Sequence, residues 1–259
     1  MSTELLNTEV SGNEALSVGE RFTSFFKELS VNFDAFNAKN FNKSIHTVKG
    51  GEVWKDLASQ NVYFSAAIKH IPSPVFFNPT VWSFKDFVDF VLQAVPIIKM
   101  VDSQADNVYR GIKKAAATGQ VPFSIRNVND LVLISKARET FQNSMKDTGA
   151  YTRGLNELYP NFNAASEVVN DFNRIVQTLS SRDVEVVSKR MDNVVYVTNL
   201  LKAKVAESEV ILNAKEAESL NMAIGELVDN ANFAGLMLAQ LSELTRVLQL
   251  QIDEAKKLA

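Results

Sequence analysis

Chemistry at neutral pH needs a nucleophile, a proton carrier or a set of metal ligands, and this chain offers few candidates for any of them. It has no cysteine, which removes thiolate nucleophiles, disulfides, iron–sulfur clusters and thiolate zinc sites together. Its two histidines, His46 and His70, sit far apart without the E-x-x-H or H-x-x-x-H spacing that would place two ligands on one helix face. Each reads as an ordinary surface or capping histidine. Ser24 and Lys27 fit S-x-x-K, but the S-D-N and K-T-G companions of that motif are missing. Lys49-Gly50-Gly51 has the glycines of a phosphate-binding loop without its strand, spacing or hydroxyl. Arg110, Lys113 and Lys114 form a small basic cluster on one helical face, best read as solvated.

The carboxylates are no more promising. Glu207, Glu209, Glu216 and Glu218 alternate with Lys202, Lys204 and Lys215, the mixed surface of an exposed helix. No catalytic, cofactor-binding or metal-binding residue is expected, and the chain reads as a non-enzyme. The formal charge of −3 argues against a nucleic-acid binder, which shows a basic field.

The elements that would position any site are helices. Gly (10) and Pro (6) are scarce over 259 residues, where a β protein needs a turn every ten positions or so. The spacing predicts an all-α, multi-helix bundle in three parts. Residues 1–16 read as a polar, flexible N-terminal arm, and Met1–Glu20 carry no charged n-region or apolar h-region, so no signal peptide is expected. The compartment is left open.

Residues 17–160 read as a compact helical domain. Ser17 and Glu20 suggest a capping box. Behind it Phe22, Phe25, Phe26, Leu29, Phe33 and Phe36 share one helical face, read as core. A second helix carries Trp54, Leu57, Phe64, Ile68 and Ile71. Pro72, Pro74 and Pro79 then break the chain around Val75-Phe76-Phe77, which is expected in the core. Val81–Val101 is the most apolar stretch. Lys85, Asp86, Asp89 and Lys99 inside it would each cost ~2.5–3.5 kcal/mol near a bilayer centre, more than the apolar residues return. A buried helix is expected there rather than a transmembrane segment. Leu131, Ile134, Ala137, Phe141 and Met145 mark a further helix, and glycines and Pro160 place the main boundary.

Residues 161–259 read as a long-helix hairpin or coiled-coil-like region. Phe162, Val169, Phe172, Val176 and Leu179 form one stripe. Val184, Val187, Met191, Val194, Thr198, Leu201 and Val205 form another, with a break or stutter at residues 180–183 between them. Asn213 and Glu216 look like a capping pair opening a helix of some forty residues, a rod of ~65 Å. Its stripe ends in Leu238, Leu241, Leu244, Leu248 and Ile252. The preceding helix is long enough to cover about half of the rod, so the remainder must pack on the N-terminal domain or on another chain. Another chain is preferred, which makes these five the expected partner-binding residues.

The reading is therefore a non-enzymatic structural or assembly protein, a homo-oligomer or a component of a larger complex with protein partners. Its polar arm, long rods and Asn-rich, cysteine-free composition resemble many virion and scaffold components of tailed phages, an analogy of composition only. The alternatives are a membrane-active helical protein, pore-forming or curvature-binding, and a regulatory module that docks a partner helix.

Overall fold

A computed structural model describes residues 41, 45–60, 64, 70–122, 125, 131–179 and 181–259. The stripe Phe22–Phe36, the Ser17–Glu20 box, Ser24 and Lys27 lie outside them. Over the described residues the protein is an all-α bundle, about 72% helical. The helices are α1 (Val53–Ser59), α2 (Phe84–Leu92), α3 (Ala94–Thr118), α4 (Leu131–Ser144), α5 (Leu155–Leu158), α6 (Phe162–Val176), α7 (Ser181–Ala206) and α8 (Ala214–Ala255). Two-residue strands β1 (Ile71–Pro72) and β2 (Thr152–Arg153) pair antiparallel, Ile71 opposite Arg153.

Local chemistry explains most helix ends. Ser83 caps α2 by accepting from the Asp86 amide, and Asn161 caps α6 by accepting from the Ala164 amide. At α8 the suggested pair is a reciprocal capping box. The Glu216 amide donates to Asn213 Oδ1 at 2.9 Å, and the Asn213 amide donates to Glu216 Oε2 at 3.0 Å. Helix α3 stops where Gly119 takes φ +71°, the left-handed conformation that closes helix C-termini.

Two details differ from the sequence reading. The apolar stretch Val81–Val101 is not one helix but α2 and the start of α3, separated at Gln93. Pro96 falls in the first turn of α3, where its missing N–H has no intrahelical acceptor to lose. Ile71 lies in β1 rather than in a helix, because the following Pro72 favours extended backbone at the residue before it.

The chain folds into two compact units, and neither is a contiguous segment. Among the described residues, unit 1 comprises 106–122, 125 and 192–229, and unit 2 comprises 41, 45–60, 64, 70–105, 131–179, 181–191 and 230–259. The boundary expected at Pro160 is not where the chain divides, since unit 2 draws on both sides of it. A helix can continue through such a division without breaking, and α3, α7 and α8 all do.

Unit 2 is built on aromatic rings. Trp54 lies 6.1 Å from Tyr159 and 6.2 Å from Phe162, while Phe84 meets Tyr159 edge-on at 5.1 Å and Phe77 at 5.2 Å. Phe87 and Phe90 are buried as expected. In Val75-Phe76-Phe77 only Phe77 is fully buried, with the Arg153 guanidinium 5.5 Å from its ring centre. Helix α6 packs against both α1 and α2, and the stripe Phe162, Val169, Phe172, Val176 and Leu179 is buried throughout.

In unit 1, the α7 positions Val194, Thr198 and Leu201 and the α8 positions Leu220, Ile224 and Leu227 are buried. The side chain of Ile125 lies so close to Gly111 that a Cβ there would sit 2.6 Å from Ile125 Cδ1. Among the described residues, no helix is long and apolar enough to cross a membrane.

Candidate functional site

The five residues expected to bind another chain, Leu238, Leu241, Leu244, Leu248 and Ile252, are each 0% exposed in the single chain. This corrects the expectation that their stripe needs an outside partner. Helix α8 beyond Asn230 is apolar on nearly every side, with Phe233, Ala234, Met237, Val247 and Ala255 buried as well. A helix apolar all round is a central helix.

Unit 2 holds this stretch by polar pins. Gln249 Oε1 accepts from the Lys49 amide at 2.9 Å, and its Nε2 donates to the Lys49 carbonyl at 3.2 Å. Gln251, 1% exposed, donates to the Pro72 carbonyl and accepts from the Tyr159 hydroxyl, both at 2.6 Å. Asn230 accepts from Arg138 Nη2 at 2.9 Å and donates to Gln104 Oε1 at 3.0 Å. Phe141 meets Phe233 edge-on at 5.8 Å. The buried polar side chains Gln251 and Asn230 thus have partners, as burial favours.

The groups that might do chemistry are mostly committed or solitary. His46 and His70 are both exposed. Arg110 pairs with Asp106 at 2.6 Å and the Lys113 ammonium lies 5.8 Å from the Tyr109 ring centre, so two members of the basic cluster have neighbours on their own helix. Hydrogen bonding to Asp89 at 2.7 Å holds the exposed Lys85 ammonium above the usual lysine range. Burial pushes the Tyr159 phenol well above the usual tyrosine range. Among the described residues, no three His, Asp or Glu side chains gather as a metal site.

What remains is surface. Among the described residues of unit 1 the large apolar side chains facing solvent are Tyr196 at 69% exposure and Leu200 at 40%, one turn apart on α7, with Ile211 at 79% in the connection and Met222 at 42% on α8. Residues four apart on a helix share a face, so Tyr196 and Leu200 present together. In unit 2 a groove of about 770 Å³ runs between α2 and α4, lined by Val81, Trp82, Phe90, Leu133 and, at its rim, Asp86 and Lys136. The Trp82 indole N–H is buried there without an acceptor. A stripe analysis misses all of these, because an exposed apolar residue carries no sequence mark distinguishing it from a core one. No protein-family model, curated protein or solved structure matches the chain.

Proposed function

We propose that the protein is a non-enzymatic assembly component that works through helix faces, and that the contacting face lies in unit 1 rather than on the Leu238–Ile252 stripe. The observation carrying this reading is the solvent-facing pair Tyr196 and Leu200 on α7. Tyrosine is enriched at protein interfaces, where its ring adds area and its hydroxyl stays satisfied. The compositional likeness to virion and scaffold components of tailed phages names the kind of complex in which such a protein would serve.

Static light scattering over a micromolar concentration series tests the idea. The unmodified protein is expected to exceed monomer mass, and the double variant Tyr196→Glu, Leu200→Glu to return to it with the helical circular dichroism unchanged. A monomer at every concentration overturns self-association. An oligomer unaffected by the double substitution overturns the choice of face.

A further inference from the structure

We propose that the cleft between the Gly50–Gly51 turn and helix α6 binds a small tetrahedral oxyanion, a phosphoryl group. The cleft measures about 220 Å³ and both its walls belong to unit 2. Its floor holds Ser166, a polar side chain only 4% exposed. Among the described residues the Ser166 hydroxyl has no hydrogen-bond partner. The hydroxyl is not sealed in the core but opens on the cleft, where a ligand oxygen would provide a partner.

The wall facing Ser166 is fixed in advance. Asn173 on α6 accepts from the Val48 amide at 2.8 Å and donates to the Val48 carbonyl at 3.0 Å, while Gln249 clamps Lys49. Gly50 then turns the chain with φ +83°, a conformation open to glycine. Gly51 brings the backbone so close to α6 that a Cβ would stand 2.6 Å from Val169 Cγ1. The hydroxyl missing from the neighbourhood of Lys49-Gly50-Gly51 in sequence is thus supplied in space by α6.

Donors dominate the lining. Besides Ser166 there are the Asn170 amide, the Lys55 ammonium and the amides of Gly51 and Glu52, which donate to no described residue. The Lys256 ammonium stands at the turn, where a Cβ on Gly50 would lie 2.7 Å from it, and its partner Asp253 is 3.4 Å away. Glu52 is the one carboxylate in the lining, and like Lys55 and Asn170 it is exposed. Helix α1 is only seven residues long and adds little field of its own, so the binding chemistry rests on these individual groups. N–H, hydroxyl and ammonium donors along one cleft suit an anion's oxygens. The volume admits a phosphoryl group with a short ester arm, and no aromatic ring lines the cleft for a base to stack on.

The test is a titration of the full chain with inorganic phosphate, followed by amide NMR, against sodium chloride at matched ionic strength. A second arm uses glycerol 3-phosphate, and tighter binding there identifies an ester rather than free phosphate as the ligand. Saturable shifts at Gly51, Glu52 and Ser166 with a Kd of ~1 mM or tighter are expected. Ser166→Ala and Lys55→Met are each expected to weaken binding ~10-fold, while their melting temperatures show that both still fold. The proposal is overturned if both anions shift these amides no more than chloride does. It is equally overturned if both variants bind as the unmodified protein does.

Discussion

Tyr159 and Gln251, 92 positions apart in sequence, meet through a 2.6 Å hydrogen bond in the interior of unit 2. Gln251 passes the connection on to the Pro72 carbonyl. Three segments that no local pattern relates are thereby fixed in one register, and the bond gives two measurable consequences.

Removing the hydroxyl leaves Gln251 Oε1 without its donor. Tyr159→Phe is expected to cost about 1–3 kcal/mol, read from urea denaturation at pH 7. The folded protein also keeps this phenol neutral, its pKa raised by burial above the unfolded value of ~10. The resulting stabilisation is complete below that value and is lost as pH rises beyond it towards the folded pKa. Absorbance at alkaline pH should therefore show one tyrosine ionising only with unfolding, and Tyr159→Phe should remove that component and flatten the alkaline loss of stability.

Substitutions on α8 and α7 separate core from surface. Leu241→Glu and Leu248→Glu each place a carboxylate at a fully buried position. Burying an unpaired charge abolishes cooperative folding or shifts the group's ionisation. Both variants are expected to lose the sharp thermal transition, measured by circular dichroism at 222 nm. Tyr196→Glu, at a mostly exposed site, should keep a sharp thermal transition, its midpoint lowered only by the loss of association.

Gly51→Ala forces a methyl group against Val169 Cγ1. Overpacking of this kind costs about 1–3 kcal/mol. Val169→Ala opens room for the methyl at the expense of its own buried contacts. A double-mutant cycle on chemical denaturation should show the pair less destabilised than the sum of the singles. Strict additivity would show that the turn and α6 do not press on one another.

Asn213→Ala breaks the capping box of α8 and should cost about 0.5–2 kcal/mol. Hydrogen exchange should rise first in the opening turn of that helix, at residues 214–217. Uniformly faster exchange along α8 would point to a global effect instead.

Much of the helix map was legible because it follows from short-range rules. The Asn213–Glu216 cap and the interruption between α6 and α7 are written in residues a few places apart. So was the burial of Phe87, Phe90 and the α6 stripe, since periodicity identifies an apolar face. Periodicity does not count the neighbours around a helix, and there the reading of Leu238–Ile252 failed. Phe233, Met237 and Val247 lie off the chosen stripe and already marked α8 as apolar on several sides. The cleft at Ser166 had no such mark. Its walls come from residues 50–55 and 166–173, and only tertiary packing brings a helix hydroxyl to a glycine turn.

The interleaving of the two units bears on how the chain acquires its structure during synthesis. Unit 2 includes residues 230–259, so its aromatic interior cannot close while that stretch is still within the ribosome. Until then Tyr159 lacks the helix that carries Gln251. Neither unit can close from a short contiguous stretch of chain, since unit 1 draws on residues up to 229 and unit 2 on residues up to 259. A stop codon before residue 230 would leave unit 2 without its central helix.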